Sequence, residues 1–118
     1  MTISIIGCQY FDDYQVLKWH LDRFKIMQIT TCGENKLDDL VVRYCSENRI
    51  HLINRWPGRK QGWFYLCKEY FKLVKSCDLL MAFWYGDSAN ILGIINKGKK
   101  MGKEVMVIRG YHRDKNPL

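Results

Sequence analysis

Short apolar runs alternate with amphipathic stretches along the whole chain. We interpret five of the apolar runs as strands: residues 3–6, 27–31, 50–53, 79–84 and 104–108. Between them, apolar side chains recur at three- and four-residue spacing, which is typical of helices that cover a core on one side. These helical stretches lie at residues 13–24, 37–45, 63–75 and 88–100. The strict alternation of strand and helix predicts a parallel sheet with helices on both faces.

Residues at the ends of these elements support the same assignment. Asp12 or Asp13 is the expected N-cap of the first helix, because a carboxylate there accepts hydrogen bonds from free backbone N–H groups. Gly102 follows the fourth helix, where glycine commonly ends a helix. Proline and glycine predict an irregular loop over residues 56–62. The continuous apolar run at residues 79–84 predicts a central strand that is covered on both faces.

Length and composition predict one globular domain. The chain has 118 residues, of which 47% are hydrophobic and 26% charged. A chain of this size forms one core and not two. We therefore expect a single domain at residues 1–108 and a basic C-terminal tail at residues 109–118. The predicted fold class is α/β with three layers, in which a five-stranded, mainly parallel sheet lies between two layers of helices.

The same sequence argues against several protein classes. No apolar run approaches the roughly 18 residues needed to span a bilayer, so a membrane protein is not expected. Residues 1–6 carry neither the basic segment nor the cleavage site of a signal peptide. The five cysteines are odd in number and show no CxxC spacing. We interpret them as free thiols of a cytoplasmic protein, and we predict no metal site and no cofactor.

The charge balance favours an anionic partner. The chain has 19 Lys and Arg residues and 12 Asp and Glu residues, which gives a net charge of +7. Such an excess attracts nucleic acid, nucleotides or phosphorylated metabolites. The basic residues are spread over several predicted helices and the tail without a clear stripe, so nucleic acid ranks below a small anionic ligand. A basic surface with no special partner is the plainer alternative.

The residues that follow the predicted strands are the candidate ligand-binding residues. In an open parallel sheet, ligands lie beyond the carboxyl ends of the strands, where the strand order reverses. The candidates at this edge are Gly7, Cys8, Gln9, Tyr10, Gly33, Glu34, Asn35, Asp38, Trp56, Arg59, Lys60, Tyr85, Gly86, Asp87, Ser88 and Asn90. Glycines let backbone N–H groups approach an anion, and Ser88 and Asn90 place donors at a helix N-terminus, where negative charge is favoured. The aromatic residues that can stack on a base are Tyr10, Trp56, Trp63, Trp84 and Tyr85.

Each of these features also has a plainer interpretation. Ser88 can be an N-cap alone, and Trp84 can be a core residue. Arg59 and Lys60 can belong to a solvated loop. The sequence contains no Walker A, GxGxxG, GxSxG or HExxH motif, and its two pairs of adjacent aspartates would diverge on a helix. We therefore predict no catalytic residue.

Several segments occur in the order found in a known family. They are residues 7–14, similar to a Gly-Ser-Arg-x-Phe-x-Asp-Tyr opening; residues 33–38, similar to Gly-Ala-x-Gly-Ala-Asp; residues 83–88, similar to Phe-Trp-Asp-Gly-x-Ser; and residues 102–105, which match Gly-Lys-x-Val. Trp56 and Gly62 occupy the places of a Trp and a Gly in the mid-chain loop. Over residues 3–108 the chain thus resembles the SLOG superfamily, the Rossmann-like fold shared by the LOG nucleotide phosphoribohydrolases and DprA. The small YspA-like branch of that superfamily is the most similar.

The resemblance implies a Rossmann-like domain that binds a nucleotide-derived small molecule, such as an ADP-ribose-like ligand or a cyclic nucleotide signal. SLOG domains sense such ligands in conflict between bacteria and phages, so the resemblance also implies sequestration of an immune signal. The chain departs from the LOG pattern because no Glu follows Gly86 on the next helix, where Asn90 and Ile91 replace a Gly-Thr pair. We therefore expect binding without cleavage.

Two other functions stay open. The first is LOG-like cleavage of nucleoside 5′-monophosphates, for which Asp87, Asp38 and Glu34 are the carboxylates at the predicted edge. The second is DprA-like binding of nucleic acid, which would weaken steeply with salt. SLOG relatives commonly pair through helices near the site, so a homodimer is a further expectation. The apolar residues of the fourth helix either make that contact or only cover the sheet.

Overall fold

Strands and helices alternate along the chain as predicted. The structure is a computed structural model that describes residues 1–7, 11–31, 36–54, 71–84 and 89–109. Its strands are β1 (Thr2–Gly7), β2 (Gln28–Thr31), β3 (His51–Asn54), β4 (Leu79–Trp84) and β5 (Glu104–Arg109). Its helices are α1 (Tyr14–Leu21), α2 (Lys36–Asn48), α3 (described over residues 71–75) and α4 (Ala89–Lys100). No strand end differs from its predicted position by more than one residue.

The strands form one parallel sheet in the order β3-β2-β1-β4-β5. This arrangement confirms the predicted α/β fold. β2 and β3 follow on one flank of β1 within the sheet. The chain then crosses over, and β4 and β5 follow on the other flank of β1. β4 pairs with both β1 and β5, and all six of its residues are buried. The prediction of a central strand at residues 79–84 is therefore confirmed.

Side chains of the sheet alternate between two core clusters, one on each face. The first cluster joins the sheet to α1 and α2, and it contains Ile3, Ile5, Phe11, Tyr14, Leu17, Leu21, Ile29, Leu37, Val41, Tyr44, Cys45, Leu79, Met81 and Phe83. The second cluster joins the sheet to α3 and α4, and it contains Ile6, Leu73, Val74, Cys77, Leu80, Ala82, Trp84, Ile91 and Ile95. Helices thus cover both faces of the sheet, as the alternating pattern predicted.

Helix α1 begins as predicted but ends early. The carboxylate of Asp13 accepts a hydrogen bond from the backbone N–H of Val16 at 3.2 Å, which confirms Asp13 as the N-cap. The helix ends at Leu21, before the predicted end at residue 24. Phe24 nevertheless packs against the first core cluster. The helical spacing of apolar residues therefore extends beyond the helix itself, because the turn after α1 brings the Phe24 side chain back to the core.

Helix α4 covers the sheet with its apolar side. Ile91 and Ile95 are buried in the second core cluster. Gly102 has a φ of +73°, the left-handed conformation expected after a helix. β5 extends to Arg109, so the sheet takes in the first residue of the predicted tail. The homodimer stays a prediction.

Other predicted features lie outside the described residues. They are the loop at residues 56–62, the first part of the third helix, Ser88 and the tail from residue 110. Within the residues that the structure describes, no helix combines the length and the apolar character needed to cross a membrane.

Two tyrosine–carboxylate hydrogen bonds join α1 to α2. The Tyr14 hydroxyl donates to Glu47, and the Tyr44 hydroxyl donates to Asp22 at 2.7 Å. The bond from Tyr14 holds the pKa of Glu47 below its ordinary value of 4.5. Hydrogen bonds from Lys18 and then Tyr44 lower the pKa of Asp22. The ionised carboxylates are therefore stabilised in the folded protein.

We expect these contacts to weaken in acid. Both carboxyl groups have a lowered pKa in the folded state, so they stabilise the fold above their unfolded pKa and lose that effect as the pH falls through the folded pKa. The urea midpoint should fall below a pH of about 4.5, the ordinary value for Glu47. Glu47→Gln should show a smaller fall over the same pH range. Additive effects of Glu47→Gln and Tyr14→Phe at neutral pH would contradict coupling between the two side chains.

Candidate functional site

The strand order reverses between β1 and β4, at the centre of the sheet. Gly7, the last residue of β1, pairs with Phe83 near the end of β4. The chain leaves β1 toward α1 on one face and leaves β4 toward α4 on the other, because the two strands feed helices in different core clusters. Such a reversal opens a crevice at the carboxyl ends of the strands, where ligands of open α/β sheets bind. This edge is the candidate site.

Few of the predicted site residues lie within the described chain. Gly7 and Asp38 are described fully, and Asn90 lies in the first turn of α4. The remaining candidates lie outside the described residues: Cys8, Gln9, Tyr10, Gly33, Glu34, Asn35, Trp56, Arg59, Lys60, Tyr85, Gly86, Asp87 and Ser88. The described residues therefore define the position of the site and part of its polar groups.

Gly7 allows α2 to start directly above the end of β1. A Cβ atom on Gly7 would lie 2.3 Å from Cδ2 of Leu37 and 2.9 Å from the carbonyl oxygen of Phe83. Neither distance leaves room for a side chain. Packing therefore requires glycine at position 7, apart from the predicted approach of an anion to its backbone. The absence of a side chain also brings the first turn of α2 to the crevice.

The first turn of α2 presents a buried carboxylate. Asp38 is only 7% exposed, whereas its neighbour Asp39 is exposed. Both acidic side chains lie near the positive end of the helix dipole, so they offset much of its attraction for a phosphate. A carboxylate accepts hydrogen bonds from hydroxyl groups. The acidic first turn of α2 is therefore better suited to a hydroxyl group than to a phosphate.

The opposite side of the crevice carries a basic residue. Within the described residues, the first turn of α4 contains no acidic side chain. Arg109, the last residue of β5, is exposed and places its guanidinium 5.1 Å from the ring centroid of Trp84. The sequence reasoning assigned Arg109 to the tail and missed it as a site residue. A basic residue at a strand end was the signal that could have found it.

Trp84 is a core residue. Its side chain is buried in the second core cluster at the end of β4. Phe83 points to the other face, where its ring packs against that of Phe11 with centroids 4.7 Å apart. Phe83 and Trp84 therefore belong to the core clusters on opposite faces of the sheet, and the plainer of the two interpretations for Trp84 is confirmed.

Thr31 is a polar residue that the sequence reasoning also missed. It ends β2 between Ile5 and Asn54, it is only 1% exposed, and its Oγ1 has no hydrogen-bond partner among the residues that the structure describes. Burying a hydroxyl without a partner costs free energy. Its period-2 position placed Thr31 on the core-facing side, but no sequence signal distinguishes a bonded threonine from an unbonded one.

We expect Thr31→Val to stabilise the protein by up to about 1 kcal/mol, because valine has a similar shape and removes the unpaired hydroxyl. Ser4→Ala is the contrasting variant: Ser4 is equally buried, but its Oγ donates to the carbonyl of Leu73 at 2.8 Å. That variant should lose about 1 kcal/mol. Urea unfolding measures both. A clear loss of stability in Thr31→Val would contradict the assignment of an unpaired hydroxyl.

Comparison of the chain with protein-family models, with curated proteins and with solved structures found no match. The resemblance to the SLOG superfamily therefore stays a prediction based on the sequence segments named above. Within the described residues, no three His, Cys, Asp or Glu side chains are grouped so that they could hold a metal ion.

Proposed function

We propose that the protein binds a nucleotide-derived, anionic small molecule, such as an ADP-ribose derivative or a cyclic nucleotide, without cleaving it. The observation that carries the proposal is the reversal of strand order between β1 and β4, with the buried Asp38 in the first turn of α2 and the exposed Arg109 at the end of β5. In this arrangement the sugar hydroxyls lie toward Asp38. The phosphate groups lie toward Arg109 and the first turn of α4.

The proposed biological role is sequestration of a signal. It rests on the resemblance to SLOG domains, which sense such ligands in conflict between bacteria and phages. A domain that holds the ligand without a LOG-type catalytic Glu would lower the free concentration of the signal. Binding therefore needs to be tight but needs no turnover.

Isothermal titration calorimetry with ADP-ribose, cyclic nucleotides and nucleoside 5′-monophosphates tests the proposal. Asp38→Asn should weaken binding about tenfold or more, because hydrogen bonds to a charged group contribute about 1.5–3 kcal/mol. Asp39→Asn is the matched control in the same helix turn, and it should leave affinity almost unchanged. Arg109→Gln should weaken the binding of phosphorylated ligands. Arg23→Gln is its control and should leave that binding almost unchanged. The melting temperature of each variant is measured first.

Two outcomes contradict the proposal. The first is the absence of heat with every ligand. The second is release of free base from a nucleoside 5′-monophosphate, detected by chromatography. That result would establish the LOG-like hydrolase instead. If Asp87→Asn or Asp38→Asn abolished that release, the carboxylate concerned would be the group that the reaction requires.

A further inference from the structure

The ends of α3 and α4 form a lysine-rich surface on one face of the sheet. This surface, the lysine face, consists of Lys72, Lys75, Lys97, Lys99, Lys100 and Lys103. Lys97 places its Nζ 5.1 Å from the ring centroid of Phe71, the first described residue of α3. The Nζ of Lys103 donates to the carbonyl of Cys77 at 3.0 Å, just after α3. These two contacts bring the lysines of the two helices onto one surface.

The charge of the described residues is concentrated on this surface. Residues 71–78 and 89–104 contain the six lysines and two acidic residues, Asp78 and Glu104. On the side of α1 and α2, residues 11–31 and 36–50 contain six basic and six acidic side chains. The two ion pairs found among the described residues, Lys18–Asp22 and Arg43–Glu47, both lie on that balanced side. The even spread of charge along the sequence thus becomes a one-sided distribution in the fold.

We propose that the lysine face binds the phosphate backbone of nucleic acid, without selecting a base sequence. A surface of clustered lysines attracts a polyanion and releases the counterions condensed on it. Lysine acts as a point charge toward phosphates, and contacts with phosphates carry no sequence information. This activity is separate from the proposed small-molecule site.

Two other anionic partners fit the surface less well. A helix that lies on a membrane buries an apolar face among the lipids. Ile91 and Ile95 of α4 are buried against the sheet instead, so that face is already covered. The second partner is an acidic protein, but protein interfaces are depleted in lysine at their centres. The lysine face offers mainly lysine, with Phe71 as its exposed aromatic residue.

The lysine face lies at the opposite edge from the candidate site. α4 begins after the carboxyl end of β4 and ends before the start of β5, where Glu104 pairs with Leu79. The lysines at its end therefore lie at the amino ends of the strands, whereas Gly7 and Arg109 lie at the carboxyl ends. The two sites can consequently be altered one at a time.

Fluorescence anisotropy with labelled single- and double-stranded oligonucleotides of mixed sequence tests the proposal. The test variant carries Lys97→Gln, Lys99→Gln and Lys100→Gln. The matched control carries Arg23→Gln, Lys25→Gln and Arg49→Gln, which remove the same charge from exposed positions on the balanced side. At about 50 mM salt we expect the lysine variant to bind about tenfold or more weakly, and the slope of log affinity against log salt to become shallower by about 2–3. The control should stay within about threefold of the wild type.

The outcomes separate this proposal from its alternatives. No oligonucleotide binding at low salt would overturn it, and so would equal weakening of both triple variants, because net charge alone would then explain the binding. Binding to phosphatidylserine vesicles without binding to oligonucleotides would assign the surface to membranes. Unchanged calorimetric titration of ADP-ribose in the lysine variant would support two separate sites. Circular dichroism confirms that each variant is folded.

Discussion

Phe83→Ala is expected to lower the free energy of unfolding by about 3–5 kcal/mol, the usual cost of removing a fully buried aromatic side chain. Phe83 is 0% exposed, and its ring packs against Phe11 in the first core cluster. It also lies in the central strand, beside the point where the strand order reverses. The substitution therefore leaves a cavity directly beneath the candidate site.

Phe71→Ala is the matched control for this variant. Phe71 is 40% exposed, so the same chemical change removes much less buried area and should cost about 1 kcal/mol. Urea denaturation monitored by circular dichroism measures both variants. Similar losses for the two would mean that the burial of Phe83 does not determine the stability of this edge of the sheet.

Gly7→Ala should also destabilise the protein, by about 1–3 kcal/mol or more, because the added methyl group has no space. It would lie 2.3 Å from Cδ2 of Leu37 and 2.9 Å from a backbone oxygen of Phe83. The leucine side chain can move, but the carbonyl belongs to a hydrogen-bonded strand. The site should be displaced together with the first turn of α2, so ligand affinity should fall as well.

Gly93→Ala is the control glycine variant. A Cβ atom there meets nothing within 4 Å, and the residue lies within α4. Alanine should therefore stabilise the helix by about 0.5–1 kcal/mol. In the double variant Gly7→Ala, Leu37→Ala, part of the clash is relieved, so the combined loss should be smaller than the sum of the single losses. A loss in the double variant equal to the sum of the two single losses would contradict the close contact between Gly7 and Leu37.

The local pattern of this chain was sufficient to predict most of the elements that the structure describes. The run at residues 79–84 is apolar throughout, and it forms a strand whose six residues are all buried. Asp13 precedes an amphipathic stretch, and it caps α1. These predictions succeeded because side-chain periodicity and capping depend on neighbours along the chain. The end of α1 was wrong because Phe24 reaches the core from a turn, with the same spacing that a helix would give.

The candidate site was predictable only in part. The rule for parallel sheets placed it at the carboxyl ends of the strands, and Gly7 and Asp38 were among the residues named. The buried Asp38 beside an exposed Asp39 could not be distinguished in the sequence, because burial depends on how the helix is rotated over the sheet. Thr31 and Arg109 were missed for a related reason. Their significance depends on neighbours in other strands.

The sequence by itself determined the alternation of strands and helices, the parallel sheet and the excess of positive charge, since each follows from local spacing or composition. Only the tertiary structure decided the strand order, the contact of Leu37 with Gly7 and the concentration of lysines at the ends of α3 and α4. These features join residues that are far apart in the chain. They arise because apolar faces must be buried together, and that packing sets which polar residues become neighbours at the surface.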